Sequence, residues 1–324
     1  MSSPTHLTTA FGDRLKKDEP LAKHVHIRIG GPADFYLEAK SSEEIAQAVE
    51  AAVSDNLPFA IFGGGSNTLP SDEGFRGLVI QAANRAWRIE GTRVIAEAGV
   101  PSGFLARKTA EAGLTGLEWA VSLPGTIGGA VRGNAGCFGG EIKDILVSVD
   151  VLRVADGRVE RNVCKNEECS FAYRESRFKR SHDAVLSAEF MLASATKESC
   201  LAKLEDVLSK RKADQPNEAP SAGCMFKNFD FKDEAELAKL KEHVEVPDMF
   251  VRAKRLPAGW LIEQADLKGK TIGGAQVSTK HGNFLLNLGN ATASDVLQLI
   301  SLIKMRIRDD YGLQLEEEVQ LLGF

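Results

Sequence analysis

Phe59-Ala60-Ile61-Phe62-Gly63-Gly64-Gly65-Ser66-Asn67 joins a short apolar run to three consecutive glycines and two small polar residues. The run has the length of a strand, and the glycines lack the Cβ atoms that would keep an anionic oxygen away from bare backbone N–H groups. No Gly-Lys-Ser/Thr follows, so this is not a Walker A loop. Nor does it open into a helix as the GxGxxG of a dinucleotide fold would. From spacing alone the loop reads equally as a tight turn or as a pyrophosphate cradle. Upstream, Val25–Ile29 reads as an extended stretch closed by Gly30-Gly31-Pro32. Ser41 with Glu44 is a capping box, opening a helix in which Ile45, Val49, Ala52 and Val53 recur at helical spacing. With a further strand at Leu78–Gln81 the region reads as β-α-β with a glycine-rich turn.

From about Ala86 the pattern changes to strands at Val94–Ala98 and Val147–Val154, one helix at Gly103–Ala112 and a long glycine-rich loop, Leu123–Gly140. Such mixed ordering argues α+β architecture and not a repeating Rossmann unit. Within the loop, Pro124-Gly125-Thr126-Ile127-Gly128-Gly129-Ala130 and Asn134-Ala135-Gly136 hold more close-approach residues than a turn needs. Two such loops on neighbouring strands could flank one extended cofactor, or could be independent surface loops. A third unit begins near Ser199, with a charged helix at Ser199–Lys212, a polar breaker at Gln215–Ala222, and a long amphipathic helix begun by Thr292 or Ser294 that turns Val296, Ile300, Ile303 and Ile307 inward.

At 324 residues the chain exceeds what one core usually serves, so two or three domains are expected. Charged residues at 26% and apolar residues at 43% belong to an ordinary globular protein. The net charge of −5, with no run of Lys or Arg, gives no chain-wide attraction to nucleic acid, so any anionic ligand must be held locally. Met1–Pro20 lacks the apolar stretch of a signal peptide and no window reaches the roughly 18 apolar residues of a membrane span, which leads to a cytoplasmic expectation. Five cysteines form no spaced framework, and Cys164 with Cys169 lacks a second ligand pair, so neither a disulfide scaffold nor a metal site is expected.

Several short stretches could carry chemistry. Arg174, in Tyr173-Arg174-Glu175-Ser176, is of the type that binds a carboxylate through two parallel hydrogen bonds, although a solvated arginine is the simpler reading. Ser221–Asn228 places the Cys224 thiol, the Lys227 ammonium and the Asn228 amide beside Gly223, with a buried inert thiol as the alternative. Leu315-Glu316-Glu317-Glu318-Val319 alternates with period two, so Glu316 and Glu318 share a face.

Taken in order, these motifs resemble the UDP-N-acetylenolpyruvoylglucosamine reductase (MurB) family of peptidoglycan synthesis. The likeness runs over nearly the whole chain, from Arg28-Ile29-Gly30-Gly31-Pro32-Ala33 through both glycine loops and Tyr173–Ser176 to Gly223–Asn228, Leu267-Lys268-Gly269, Gly273–Ser278, Lys280-His281-Gly282-Asn283-Phe284 and Leu315–Val319. It implies an α+β chain with a vanillyl-alcohol-oxidase/PCMH-type FAD-binding fold in two subdomains, 1–83 and 84–198. A C-terminal α+β substrate-binding domain, 199–317, would follow, and a last strand, 318–324, would return to the FAD-binding half. Arg174 and Phe178 follow Tyr173 closely, so the chain resembles the family's second type, which lacks a tyrosine-bearing loop.

The resemblance also implies a reaction, the NADPH-dependent reduction of UDP-N-acetylglucosamine enolpyruvate to UDP-N-acetylmuramate through bound FAD, with hydride from flavin N5. Arg28, Ile29, Gly30, Gly63, Gly64, Gly65, Ser66, Asn67, Gly125, Thr126, Gly128 and Gly129 would then contact FAD. Cys224 would give the proton, Arg174 and Glu318 would bracket the substrate carboxylate, and Asn228, Lys268 and His281 would face the substrate or its diphosphate. No metal, nucleic acid or membrane enters this scheme, and a monomer is expected. The family usually has serine at Cys224, proline at Phe229 and isoleucine at Leu123. Two rivals remain open on the sequence: another flavin oxidase or dehydrogenase of the same fold, and a UDP-sugar-binding relative without chemistry.

Overall fold

Leu78, Val79 and Ile80 are consecutive and fully buried, as a strand covered on both faces must be. In the computed structural model, which describes residues 4–216, 218–231 and 234–324, they form the middle of Phe75–Ala82. That strand pairs in parallel with Pro32–Ala39 and with Phe59–Phe62, and Lys16–Pro20 lies at the outer edge beyond Pro32–Ala39. Helix Ser42–Ser54 buries Ile45, Ala48, Val49 and Ala52. Its capping box is half formed. Ser41 Oγ accepts the Glu44 N–H at 3.1 Å, but the Glu44 carboxylate accepts from Lys40 N at 2.7 Å. It also accepts from the Arg14 guanidinium at 2.8 and 2.7 Å, and these bonds hold the Glu44 carboxyl down to about 2.

A second sheet is antiparallel throughout, in the order Arg158–Lys165, Leu146–Ala155, Ala184–Met191, Arg93–Glu97, Trp87–Glu90. Both sheets bury their apolar faces in one continuous core that runs from Leu7 to Leu192. Asn84, fully buried, ties them: its amide donates to Ser42 Oγ and to Leu186 O at 3.1 Å each, and its oxygen accepts from Gly99 N at 2.9 Å.

The chain forms two compact units. One comprises the N-terminal stretch to Glu19 with Ala33–Gly64 and Phe75–Ala213; the other comprises Pro20–Pro32, Gly65–Gly74 and Asp214–Phe324. These units part elsewhere than at 83/84 and 198/199. The two segments expected as FAD-binding subdomains share a core, and helix Lys197–Asp214 packs Cys200 and Leu204 on Ala110 of helix Ser102–Glu111, within the first unit.

The second unit is built on an antiparallel sheet, in the order Ser221–Cys224, Phe284–Asn287, Ala275–Val277, Thr271–Ile272, with helix Ala293–Tyr311 against its last two strands. The helix starts where expected. Thr292 and Asp295 form a complete capping box, and Val296, Ile300, Ile303 and Ile307 are buried. The C-terminal strand Gln320–Leu322 pairs in parallel with Thr68–Pro70, just after the first glycine loop.

Two expectations need correction. Val25–Ile29 is a turn and not extended: Arg28 N donates to Val25 O at 3.2 Å and Arg28 adopts φ +57°, so the strand begins only at Pro32. The loop Leu123–Gly140 contains helix Ile127–Arg132 and a hairpin of Gly136–Cys137 with Gly140–Glu141. Asn217, within the breaker at Gln215–Ala222, lies outside the described residues. Among the described residues no helix is long and apolar enough to cross a membrane.

Asp72 closes the first turn of the long helix across 221 residues of sequence, its carboxylate accepting from Ala293 N at 2.8 Å and from Ser294 N at 3.0 Å. Capping groups of this kind contribute about 1 kcal/mol. Asp72→Ala is therefore expected to lower stability by about 1–2 kcal/mol in urea unfolding, and Asp72→Asn, which keeps one acceptor, by less.

Candidate functional site

In the first unit the two glycine loops meet. A Cβ on Gly64 would lie 2.7 Å from Gly125 Cα, and one on Gly63 would strike Thr126 Oγ1, so backbone passes backbone with no room for a side chain. Gly63 is anchored from the strand behind it: Gln81 Nε2 donates to Gly63 O, and Tyr36 OH donates to Gln81 Oε1 at 3.3 Å. Burial, with Glu38 and Glu19 nearby, pushes the Tyr36 phenol up, so it stays a donor. Thr126 is 9% exposed, and its Oγ1 is buried with no hydrogen-bond partner. A Cβ on Gly129 would find only this same oxygen, at 3.9 Å. Gly128 serves a different end, since its Cβ would lie 2.8 Å from Ala98 Cβ; it lets the helix seat on its neighbouring strand. Bare backbone around one orphaned hydroxyl suits the phosphate oxygens of a dinucleotide.

Arg174 is in the same unit. It occupies a left-handed turn (φ +56°) closed by Ala172 N to Glu175 O at 3.0 Å and Glu175 N to Ala172 O at 3.1 Å. The turn is pinned from two sides. Asn134 Nδ2 donates to Ala172 O at 3.0 Å, and Ser176 Oγ donates to Arg132 O at 2.6 Å; both Asn134 and Ser176 are fully buried. The Arg174 guanidinium lies over the Tyr173 ring, 5.4 Å from its centroid, and Lys179 Nζ donates to Arg174 O at 2.6 Å. The simpler reading, an arginine loose in solvent, does not describe this residue.

The second unit gathers the rest. Gly65 has φ +62°, and its Cβ would strike His24 O, so its lack of a side chain serves the turn at His24–Val25. Gly30 likewise faces Pro70, and Arg28 and Ile29 precede it in the turn. Asn67 reaches forward to the C-terminus: its Nδ2 donates to Glu318 O at 3.1 Å and its carbonyl accepts Gln320 N at 2.9 Å. Glu318 N in turn donates to Met225 O at 2.7 Å, so the Glu318 backbone is held beside the residue after Cys224.

Cys224 is half-buried and ends a strand whose register slips between Ser221 and Cys224, at Gly223 with φ +76°. A bulge of this kind re-aims the side chain next to it. Leu315–Val319 alternates only in part. Glu316 is exposed and pairs with Lys227 at 3.1 Å, Glu317 pairs with Lys304 at 2.7 Å, and Glu318 is half-buried.

Asn228, Lys268 and His281, distant in sequence, collect around helix Ala258–Gln264. Asn228 Oδ1 accepts from Ala258 N at 3.2 Å, Lys268 pairs with Glu263 at 2.7 Å, and the His281 ring covers Gly259, where a Cβ would lie 2.8 Å from its Cε1. Burial lowers the His281 pKa, and its Nδ1 accepts from Asn283 N at 3.2 Å, which leaves Nε2 as the protonated nitrogen. Gln81 and Tyr36 carry no signal of a role in the sequence, where each is a common residue in an ordinary strand; Asn134 and Asn283 fall within quoted motifs, but the sequence gives neither a role.

Residues 215–322 match the family model described as UDP-N-acetylenolpyruvoylglucosamine reductase, C-terminal domain, and residues 33–162 match an FAD binding domain. The reductase of Geobacillus kaustophilus is 38% identical over 320 residues, covering 98% of this chain and 96% of that protein. The reductase of Carboxydothermus hydrogenoformans is 38% identical over 322 residues, covering 98% and 97%. The crystal structure of the Thermus caldophilus enzyme superposes with a TM-score of 0.73 at 32% identity, covering 95% of this chain and 98% of that one.

Gly64→Val would collide with Gly125 whether or not a ligand is present, so it does not separate a cradle from a turn. Thr126→Val does, because it keeps the shape and removes only the orphaned hydroxyl. Loss of one hydrogen bond to a charged group costs about 1.5–3 kcal/mol, so flavin affinity should fall by about ten- to a hundredfold with the circular dichroism unchanged. Flavin release on dilution, followed by fluorescence, measures it; wild-type retention would leave the Thr126 hydroxyl without a ligand role.

Proposed function

The chain belongs to the UDP-N-acetylenolpyruvoylglucosamine reductase family, and from that premise we propose how its own residues carry the reaction. The enzyme reduces UDP-N-acetylglucosamine enolpyruvate to UDP-N-acetylmuramate with NADPH, in peptidoglycan precursor synthesis. Bound FAD supplies the hydride relay from NADPH to the substrate. The observation that carries the reading is the orphaned Thr126 hydroxyl among Gly63, Gly64 and Gly125, a cradle made for an anionic oxygen. Gly65, Ser66, Asn67, the turn Arg28-Ile29-Gly30 and Gly129 would add FAD contacts, whereas Gly128, whose N–H donates to Ala98 O at 2.9 Å, acts by letting the helix pack closely.

The protein must hold the substrate, stabilise charge and deliver one proton. As the double bond gains hydride at one carbon, negative charge develops on the carbon beside the carboxylate and spreads into it. Arg174, fixed by its pinned turn, meets that carboxylate with two parallel N–H groups and stabilises the enolate. With Arg174, Glu318 would bracket that carboxylate. Cys224 gives its thiol proton to the carbanion, which completes the single bond. A thiol has a reference pKa of about 8.5, so it holds its proton at neutral pH and releases it more readily than serine would. Asn228, Lys268 and His281 form the binding surface for the UDP-sugar, with Lys268 as the cation for its diphosphate. The chain would act as a cytoplasmic monomer on dissolved partners, which sedimentation tests.

An oxidase of small alcohols would have no use for residues 215–322, where the family model of the reductase matches. The purified protein should be yellow. NADPH should bleach it without oxygen, and the enolpyruvyl substrate should restore the colour. A flavin-free preparation that cannot be reconstituted would overturn the assignment.

Substitutions separate the half-reactions. Cys224→Ala should reduce flavin at the normal rate yet fail to reoxidise with the enolpyruvyl substrate, whereas Cys224→Ser should keep substantial activity. Arg174→Lys and Glu318→Gln should slow reoxidation by about a hundredfold or more, as loss of a transition-state hydrogen bond does. Stopped-flow absorbance measures each step, and equal losses in both half-reactions would place these residues away from the substrate.

A further inference from the structure

We infer that Asn283 is the positioning residue of the proton donor, fixing the backbone just after Cys224 and thereby the aim of its thiol. The inference rests on the assignment of Cys224 above. The bulge at Gly223 shifts Cys224 by one residue from the register of Ser221, and its pair with Phe284 is the last that the sheet provides. The backbone beyond the bulge is clamped instead. Met225 N donates to Asn283 O at 2.9 Å, Phe226 N donates to Asn283 Oδ1 at 2.9 Å, and Asn283 Nδ2 donates to Phe226 O at 2.8 Å. Only a primary amide places a donor and an acceptor side by side to satisfy both polar groups of one residue. Asn283 is 2% exposed and Phe226 fully buried, so water cannot replace these bonds.

Asn283 also reaches the binding surface. Its N–H donates to His281 Nδ1 at 3.2 Å, so one residue sets both the donor loop and the orientation of the His281 ring. From another segment, Glu318 N donates to Met225 O at 2.7 Å. The loop is thus gripped between Asn283 and Glu318, with Cys224 at its head.

A merely structural asparagine would weaken the fold and affect both half-reactions alike. A positioning residue leaves flavin content and flavin reduction by NADPH unchanged and slows reoxidation by the enolpyruvyl substrate. Asn283→Ala, with Asn283→Ser as the milder variant, should slow reoxidation by about 10- to 100-fold, since misplacement by about 1 Å costs on the order of a hundredfold. On the slow residual reoxidation that remains without the donor in Cys224→Ala, read over long single-turnover times, the same change should add almost nothing, because the two act as one unit. Independent, additive losses in the double variant would overturn the positioning role while leaving Cys224 as donor. Wild-type turnover by Cys224→Ala alone would instead overturn the donor assignment on which the inference rests. In the unaltered protein, amide hydrogen exchange at Met225 and Phe226 should be among the slowest outside the long helices, and rapid exchange there would refute the clamp without any variant.

Discussion

Backbone passes backbone where Gly64 meets Gly125, and no residue with a Cβ can stand at Gly64 in that crossing. The contact requires the strand ahead of each loop to be held in place, because a loop of glycines has no side chains to pack. One continuous core under two sheets supplies that rigidity, Asn84 locks the sheets, and Gln81 with Tyr36 anchors the Gly63 carbonyl. The crossing is therefore a property of the whole first unit, and the sequence around Gly63 is only its visible rim.

Buried asparagines do much of the remaining positioning. Asn134 ties the Arg174 turn to the second glycine loop, Asn287 donates to Ile27 O at 2.9 Å to hold the Arg28 turn, and Asn283 clamps the loop after Cys224. Each solves the same problem. Left-handed turns and bulges leave backbone donors and acceptors that no ladder satisfies, and a buried amide pairs with both kinds. The left-handed conformations at Arg28 and Arg174 persist because such bonds surround them.

The sequence showed the parts that depend on local rules. Apolar runs gave two of the three parallel strands, at Phe59–Phe62 and Leu78–Gln81, but not Pro32–Ala39; Thr292 was one of two candidate starts for the long helix, and the glycines marked both loops. It misled where a distant partner decides the conformation. Val25–Ile29 has the composition of a strand, yet the turn is held by Asn287, more than 250 residues away. Helix Ile127–Arg132 hides among glycines because close packing of Gly128 on Ala98 outweighs their poor helix propensity. Asn134 and Asn283 stood within quoted motifs, yet the positioning work of the asparagines had no signal, since Asn in a loop reads as a turn former whether or not its amide is buried. Arg174 and Cys224 were legible as candidates from residue type and drew specific roles only from the resemblance; the turn and the bulge that aim them appear only in three dimensions.

Phe229 illustrates how a departure from the family pattern can be absorbed. Proline at that position would set φ directly and so fix the chain leaving Lys227 and Asn228. Phenylalanine cannot, but here it pairs with Leu256 in a short antiparallel ladder whose next residue, Asp230, binds the Arg255 guanidinium. Asn228, just before it, is tied to Ala258 N. The constraint has moved from a ring within one residue to pairing with another segment, which restricts the same dihedral angles provided that segment is itself well held. Helix Ala258–Gln264, whose Leu261 and Ile262 are fully buried, meets that condition. The exchange of proline for phenylalanine therefore transfers the placement of Asn228 from covalent geometry to packing, and makes it depend on the helix around which Lys268 and His281 also gather.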